Sequence, residues 1–252
     1  MQYTKVRFAF NFATEWQRDV FLQGLADIGF ESFEGDAAYV PSHLFNEDAL
    51  RSYAQTDSQT IVGIDACDDT NWNAQWELEH GPVQLPYGII IQPDGAFGAG
   101  DHATTSMLLN AIARERESMH GARVLDMGCG TGVLAIMAAK ADAKEVIAID
   151  IDERAVRSTI ANATLNNVRL TAMQGDEPPQ GMFNYIFANI HRNVITTFMH
   201  SFAERLTNGG KLFTSGFFEK DIPLIEECAR KHGLTTIETT SDNQWISLIF
   251  RK

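Results

Sequence analysis

The chain has 252 residues, 44% of them hydrophobic, enough for one large α/β core plus a small companion domain, since single domains usually run about 100 to 200 residues. No stretch approaches the roughly 18 uninterrupted apolar residues of a membrane span, and the N-terminus MQYTKVRFAF alternates apolar and polar residues instead of showing a signal-peptide block, so a soluble, cytoplasmic protein without membrane contact is expected. The net charge of −13 is unevenly placed: residues 1–79 hold four basic and fourteen acidic side chains, a net −10, and a surface of that sign repels phosphate backbones and attracts basic partners.

The chain opens with an expected strand, Tyr3 to Phe10, whose Val6, Phe8 and Phe10 share one face at period two. A helix follows, capped by Thr14, carrying Trp16, Val20, Phe21, Leu25 and Ile28 near the helical period and stopped by Gly29. Short strands at Glu31 to Phe33 and Ala37 to Val40 flank a Gly35-Asp36 turn, a helix is expected near Asn46 to Ala54, and a strand at Thr60 to Ala66. The order βαββαβ predicts a ferredoxin-like α+β domain over residues 1–66, a scaffold that by itself says little about chemistry. The polar run CDDTN from Cys67 reads as the start of a linker, residues 67–80, in which Trp72 and Trp76 stand at i, i+4 spacing, expected to pack a connector helix onto a domain, with direct cofactor or substrate contact as the alternative. Cys67, Cys129 and Cys228 are too widely spaced for a C-x-x-C metal pattern or a disulfide framework and are read as reduced and mostly buried; no metal site is expected.

After Pro82, short strands end at Ile89-Ile90-Ile91, and residues 81–252 make the second domain. From Ala122 the pattern alternates: strand 124–127, helix 132–141, strand 145–150, helix 152–165, strands 170–174 and 185–188, helix 194–206. Such alternation means a parallel sheet with helices on both faces. Gly209-Gly210 is read as the end of that last helix, followed by a strand at 211–217 and a helix at 223–231 stopped by Gly233. The last two strands, 234–238 and 245–250, have no helix between them and should pair antiparallel, giving the sheet one reversed strand.

The strongest chemical signal is VLDMGCGTG, Val124 to Gly132, at a strand end and helix mouth. Gly128, Gly130 and Gly132 let the backbone turn tightly and approach a ligand, and the crevice beyond the strand ends is where α/β sheets bind small molecules. Asp150 ends the next strand, twenty-two residues after Gly128, where a carboxylate can accept from both hydroxyls of a ribose; Asp152 is better placed to cap the following helix. A nicotinamide or flavin site usually reads G-x-G-x-x-G, whereas GCGTG is G-x-G-x-G. That spacing and the reversed strand favour S-adenosyl-L-methionine over a dinucleotide. Asn189, ending the 185–188 strand, lies where a reacting methyl should be, and its side-chain carbonyl can position an incoming amine. Phe187 and Ile190 are expected to line an apolar pocket that disfavours a charged amine, and Asp176, after Gly175, is a candidate partner for the adenine amino group.

Asp126 to Gly132 with Asp150 resembles the first two cofactor motifs of class I methyltransferases. Asn71-Trp72-Asn73 with Trp76, the loop AFGAGDHATT from Ala96 to Thr105, and Asn189 in FANI resemble, over nearly the whole chain, the PrmA family, methyltransferases of large-subunit ribosomal protein eleven. The resemblance implies a Rossmann-like class I methyltransferase sheet behind a ferredoxin-like substrate-recognition domain, and methyl transfer from S-adenosyl-L-methionine to lysine side chains and the N-terminal amine of that basic ribosomal protein, docked by the acidic first domain. It implies that a loop matching Phe97 to Thr105 covers the cofactor and that Thr105, Gly128, Asp150 and Asn189 contact it; Gly130 and Asp176 complete the expected cofactor set, and no dedicated base is identified. Ala99 stands where the family loop has threonine, and His191-Arg192-Asn193 follows Asn189 where many members carry small or apolar residues, which bears on the charge of the amine entrance. Two other readings stay open: the same chemistry on another protein or a small amine, and a non-catalytic cofactor-binding module.

Overall fold

The computed structural model describes residues 2–12, 14–30, 32–34, 36–54, 59–68, 81–92 and 102–252. The chain divides into two compact units, Met1–Trp72 and Asn73–Lys252.

In the first unit the strands β1 (Gln2–Phe10), β2 (Ser32–Glu34), β3 (Ala37–Pro41) and β4 (Gln59–Asp68) form an antiparallel sheet in the order β2-β3-β1-β4. With helices α1 (Glu15–Asp27) and α2 (Glu47–Tyr53) this is the ferredoxin-like arrangement the pattern predicts. Thr14 caps α1 by accepting from the Gln17 N–H, and Asn46 caps α2 through the Ala49 N–H. Val6 and Phe8 of β1, Phe21 and Leu25 of α1, Val40 of β3 and Leu50 of α2 make the core, with Phe8 edge-on to Phe21 at 5.3 Å and Phe21 stacked on Tyr53 at 5.4 Å. β4 continues to Asp68, two residues into the stretch read as linker; Trp72 and Trp76 fall outside the described residues.

The second unit begins with a small hairpin, β5 (Val83–Leu85) and β6 (Ile89–Ile91), then helices α3 (Ala103–Arg114) and α4 (Arg116–Met119). The alternating part is β7 (Arg123–Met127), α5 (Val133–Lys140), β8 (Glu145–Asp150), α6 (Glu153–Leu165), β9 (Thr171–Gln174), β10 (Phe183–Asn189), α7 (Arg192–Arg205), β11 (Leu206–Phe218), α8 (Ile222–Lys231), β12 (Thr235–Asp242) and β13 (Trp245–Arg251). The sheet order is β12-β13-β11-β10-β7-β8-β9, with β13 antiparallel to both neighbours and β11-β10-β7-β8-β9 parallel. One face packs Leu108 and Ile112 of α3 and Val133 to Ala138 of α5 on Phe187 and Phe213; the other packs Ile195, Met199 and Phe202 of α7 and Ile225 of α8 on Ile186, Leu212 and Phe250. Burial on both faces is why these strands read as apolar runs, each large side chain contributing roughly 1.5 to 3 kcal/mol.

Gly209-Gly210 does not end a helix. The α7 helix stops at Arg205, and the glycines lie within β11, where Gly209 takes φ +77° and the register with β10 slips from Phe183↔Leu206 to Tyr185↔Lys211. The Gly209 N–H donates to the Lys252 carbonyl and the Lys252 N–H to the Gly210 carbonyl, so a sheet partner at the far end of the chain takes the groups a helix end would have used. The β12-β13 hairpin turns through Asn243 and Gln244, both at positive φ, as a two-residue turn with right-handed strands requires. Of the cysteines described in side-chain detail, Cys129 is buried and Cys228 only half-buried; both are free thiols. Among the described residues no helix is long and apolar enough to cross a membrane, and no group of three or more His, Cys, Asp or Glu side chains is arranged to hold a metal ion.

Candidate active site

The parallel strands deliver the candidate residues to one edge of the sheet. β10 pairs with β7 through Phe187↔Asp126, so Asn189 stands beside Gly128; β8 pairs with β9 through Asp150↔Gln174, so Asp176 follows two residues beyond Asp150's partner.

The glycine-rich loop is held from several sides. Gly128, Gly130 and Gly132 take φ +75°, +53° and +80°, the left-handed region that disfavours any Cβ. Two are also fixed by space: a Cβ on Gly128 would come within 2.3 Å of Ile190 Cγ2, and one on Gly132 within 2.8 Å of Thr159 Cγ2 on α6. The Gly128 and Cys129 N–H groups donate to the Ile149 carbonyl at 2.8 and 3.0 Å, and the Gly130 N–H donates to Asp150 Oδ2 at 2.9 Å. Asp150 Oδ1 accepts from the Asp152 N–H at 3.0 Å, and the Gly175 N–H donates to the Asp150 carbonyl at 2.9 Å. Asp150 thus ties the loop to its own strand end and to the start of the segment holding Asp176, which is exposed. Asp152 caps α6 through the Arg154 N–H, leaving Asp150 for other work.

Asp126, within the motif but with no role visible in the sequence, is 1% exposed at the C-terminal part of β7 and accepts from the Ala135 N–H in the first turn of α5 at 3.0 Å. That helix has no side-chain cap at Gly132, so the carboxyl supplies the missing acceptor across the loop. Burial pushes the Asp126 carboxyl up to about 7, and the nearby Asp150 charge adds to the rise against the Ala135 bond. Burial also raises the Cys129 thiol above its ordinary value, aided by Asp126, so the cysteine between the glycines is protonated and inert rather than a nucleophile.

On the other side of Gly128, Thr105 in the first turn of α3 is fully buried, and its Oγ1 accepts from Asn189 Nδ2 at 3.3 Å. Asn189 Oδ1 is buried and has no hydrogen-bond partner among the described residues. His102 is the helix-start residue: it caps α3, with Nδ1 2.7 Å from Thr104 Oγ1 and its ring edge-on to Trp245 at 5.0 Å. Of the expected apolar lining, Ile190 covers Gly128, but Phe187 is fully buried in the core, edge-on to Phe213 at 5.4 Å: it shares the sheet face of Asn189 but lies two residues before the strand end, where α3 and α5 pack over it. The basic segment after Asn189 is compensated: Arg192 Nη1 pairs with Asp221 Oδ1 at 2.7 Å, and Asp221 is 6% exposed with its other oxygen accepting from the Phe218 N–H. Ala99 and the rest of residues 93–101 lie outside the described residues.

The structure therefore brings Thr105 to Asn189, Asn189 beside Gly128, and Gly130 to Asp150, in one row along the strand ends, with Asp176 at its far end. The residues that sequence reasoning missed are Asp126 as an acceptor for α5 and Thr159 and Asn162 of α6, which hold loop carbonyls. Their polar side chains at helical spacing look like a solvent face, and no local signal marks them as buried.

A seven-stranded sheet of this order, with a glycine-rich turn after β7 and a carboxylate at the tip of the neighbouring β8, defines a class I methyltransferase. The family model of the ribosomal protein L11 methyltransferases (PrmA) matches residues 87–252, and the chain belongs to that family. It is 38% identical to the ribosomal protein L11 methyltransferase of Porphyromonas gingivalis, over 92% of this chain and 90% of that one, and 35% identical to that of Bacteroides fragilis, over 99% of each. The crystal structure of the ribosomal protein L11 methylase from Lactobacillus delbrueckii subsp. bulgaricus superposes with a TM-score of 0.60 at 26% identity, covering 69% of this chain and all of that one. A methyltransferase from Pyrococcus furiosus, 19% identical, shares the fold with a TM-score of 0.56 over 71% of this chain and 98% of its own.

Proposed function

We propose that the protein transfers methyl groups from S-adenosyl-L-methionine to amino groups of ribosomal protein L11, on lysine side chains and on the N-terminal amine. The observation that carries this reading is the Asn189 amide: its Nδ2 is committed to Thr105, while its Oδ1 is buried at the end of β10 without a donor among the described residues. Buried acceptors are rarely left unpaired without a reason, and an amine N–H is the donor this one fits. S-adenosyl-L-methionine, when bound, supplies an electrophilic methyl group on a sulfonium centre. Gly128 and Gly130 let the backbone come close to it, and Asp150 has lone pairs left over from its two backbone bonds for ribose hydroxyls; in this reading Thr105 meets the methionine end and the exposed Asp176 the adenine amino group. Asn189 Oδ1 accepts one amine hydrogen and so turns the nitrogen lone pair toward the methyl group. An ammonium has no lone pair, so the acceptor must arrive neutral; Ile190, packed over Gly128, supplies an apolar wall that disfavours the charged form. The first unit, with most of the chain's excess negative charge, suits the docking of a basic ribosomal protein.

The test is incubation with labelled methyl donor and large-subunit proteins from cells lacking this activity, for the wild type and Asn189→Leu. Label on the L11 band, with single-turnover transfer at least 100-fold slower in the variant and cofactor affinity within tenfold, is the expected result. Label on a different protein overturns the substrate assignment; donor binding without release of S-adenosylhomocysteine overturns catalysis.

A further inference from the structure

Helix α6 carries a buried polar face that neither cofactor contacts nor acceptor chemistry uses. Ser158, Thr159, Asn162 and Asn166 are all buried, and buried amides are costly unless their donors and acceptors are matched. The two asparagines, one helical turn apart, act as a substitute strand for the edge of β6 that β5 does not occupy. Asn166 Oδ1 accepts from the Ile90 N–H at 2.9 Å and Nδ2 donates to the Ile90 carbonyl at 2.5 Å. Asn162 repeats the pairing two residues on, Oδ1 accepting from the Gln92 N–H at 2.8 Å and Nδ2 donating to the Gln92 carbonyl at 3.4 Å.

Asn162 does one thing that Asn166 does not. Its Nδ2 also donates to the Thr131 carbonyl at 3.1 Å, next to the Thr159 Oγ1 bond to the Gly130 carbonyl at 2.9 Å. One side chain thus joins the backbone of Gln92, just after β6, to the backbone of the glycine-rich loop, seventy and thirty-one residues away. We propose that Asn162 is a positioning residue for the cofactor loop, holding Gly128 to Gly132 in the binding-ready conformation before any ligand arrives. The proposal rests on the reading of that loop as the S-adenosyl-L-methionine site. Three glycines make the segment intrinsically free, so its order depends on what holds its peptide groups: Asp150 takes the Gly130 N–H, while α6 takes the Gly130 and Thr131 carbonyls. A loop ordered in advance loses little freedom on binding; if the ready conformation falls to about a tenth of the population, apparent affinity falls about tenfold.

The experiment compares Asn162→Ser with Asn166→Ser. Both break a β6 pairing and leave similar space, but only the first releases the loop. In the cofactor-free protein, amide hydrogen exchange at residues 129–132 should accelerate at least tenfold in Asn162→Ser and stay within twofold of wild type in Asn166→Ser. Calorimetric affinity for S-adenosyl-L-methionine should fall at least tenfold and less than twofold, respectively, with KM for the donor rising in Asn162→Ser while kcat at saturation is retained. Asn162→Asp, which keeps the acceptor for Gln92 and loses the donor to Thr131, serves if the serine variant does not fold, and should show the same loss of affinity. Equal effects in the two positions reduce Asn162 to a structural residue and overturn the proposal, as does unchanged exchange in Asn162→Ser. If wild type itself fails to bind the donor, the cofactor reading falls, while the exchange comparison still decides whether Asn162 anchors the loop.

Discussion

Replacing Asp150 by alanine removes two functions at once, and the structure separates them. The carboxylate accepts from the Gly130 and Asp152 N–H groups at 2.9 and 3.0 Å, which anchors the loop, and each oxygen keeps lone-pair capacity for a ribose hydroxyl. Asp152 is exposed, so water can replace the acceptor for its N–H, whereas Gly130 is buried and its N–H would be left unpaired, so the stability loss should be about 1 to 3 kcal/mol. Loss of the charge-assisted bonds to a ribose should weaken S-adenosyl-L-methionine by roughly 1.5 to 3 kcal/mol, about 10- to 150-fold in Kd. Asp150→Asn retains one carbonyl oxygen and should fall between alanine and wild type. The assay is calorimetric titration with S-adenosyl-L-methionine and S-adenosylhomocysteine, alongside urea unfolding of the same samples. If the alanine variant binds both ligands with unchanged affinity while folded, Asp150 is only a loop anchor and the ribose assignment is wrong.

Three further outcomes follow from the same geometry. Asp126 holds its proton in the folded state up to about pH 7 against 3.8 unfolded, so its contribution to stability is full below about pH 4 and is lost as pH rises to 7; Asp126→Asn should remove that contribution to the slope, with a difference of at most about 4 kcal/mol at pH 8, and parallel urea-unfolding profiles from pH 5 to 8 would refute the buried, protonated carboxyl. Single-turnover methyl transfer to lysine side chains at saturating donor should rise about tenfold per pH unit between pH 7 and 9, and transfer to the N-terminal amine should level off above about pH 8, because each amine must lose its proton; a pH-independent rate rules out a free amine acceptor. Neutralising the exposed Asp36 and Asp48 of the first unit to asparagine should raise KM for the protein acceptor severalfold, most at low salt, with donor affinity unchanged; an unaltered KM would make that acidity a solvated face only.

Local pattern alone placed most of the secondary structure. Period two in β1, the caps Thr14 and Asp152, the glycine spacing of Gly128 to Gly132 and a carboxylate at the tip of β8 are statements about neighbours a few residues apart, which is the range over which backbone sterics and capping act. The reversed strand was equally legible, since two strands without a crossover between them can pair only antiparallel. Where a local rule competes with a distant partner, the distant partner decides: Gly209-Gly210 has the composition of a helix stop, but the Lys252 backbone claims it for the sheet. The same holds for side-chain direction. Phe187, expected to line the pocket, lies two residues before the end of its strand and is packed into the core, and Arg192, in the basic segment that bears on the charge of the amine entrance, pairs with Asp221, twenty-nine residues on. The pairings that give the site its chemistry, Asn189 with Thr105 across 84 residues and Asn162 with Gln92 across 70, depend on which helix face meets which strand edge. Spacing along the chain specifies the period of a face but not its partner; that is set by packing of the whole sheet, which is why Asn162 reads in sequence as a surface polar residue and in the fold as the link between a strand and the cofactor loop.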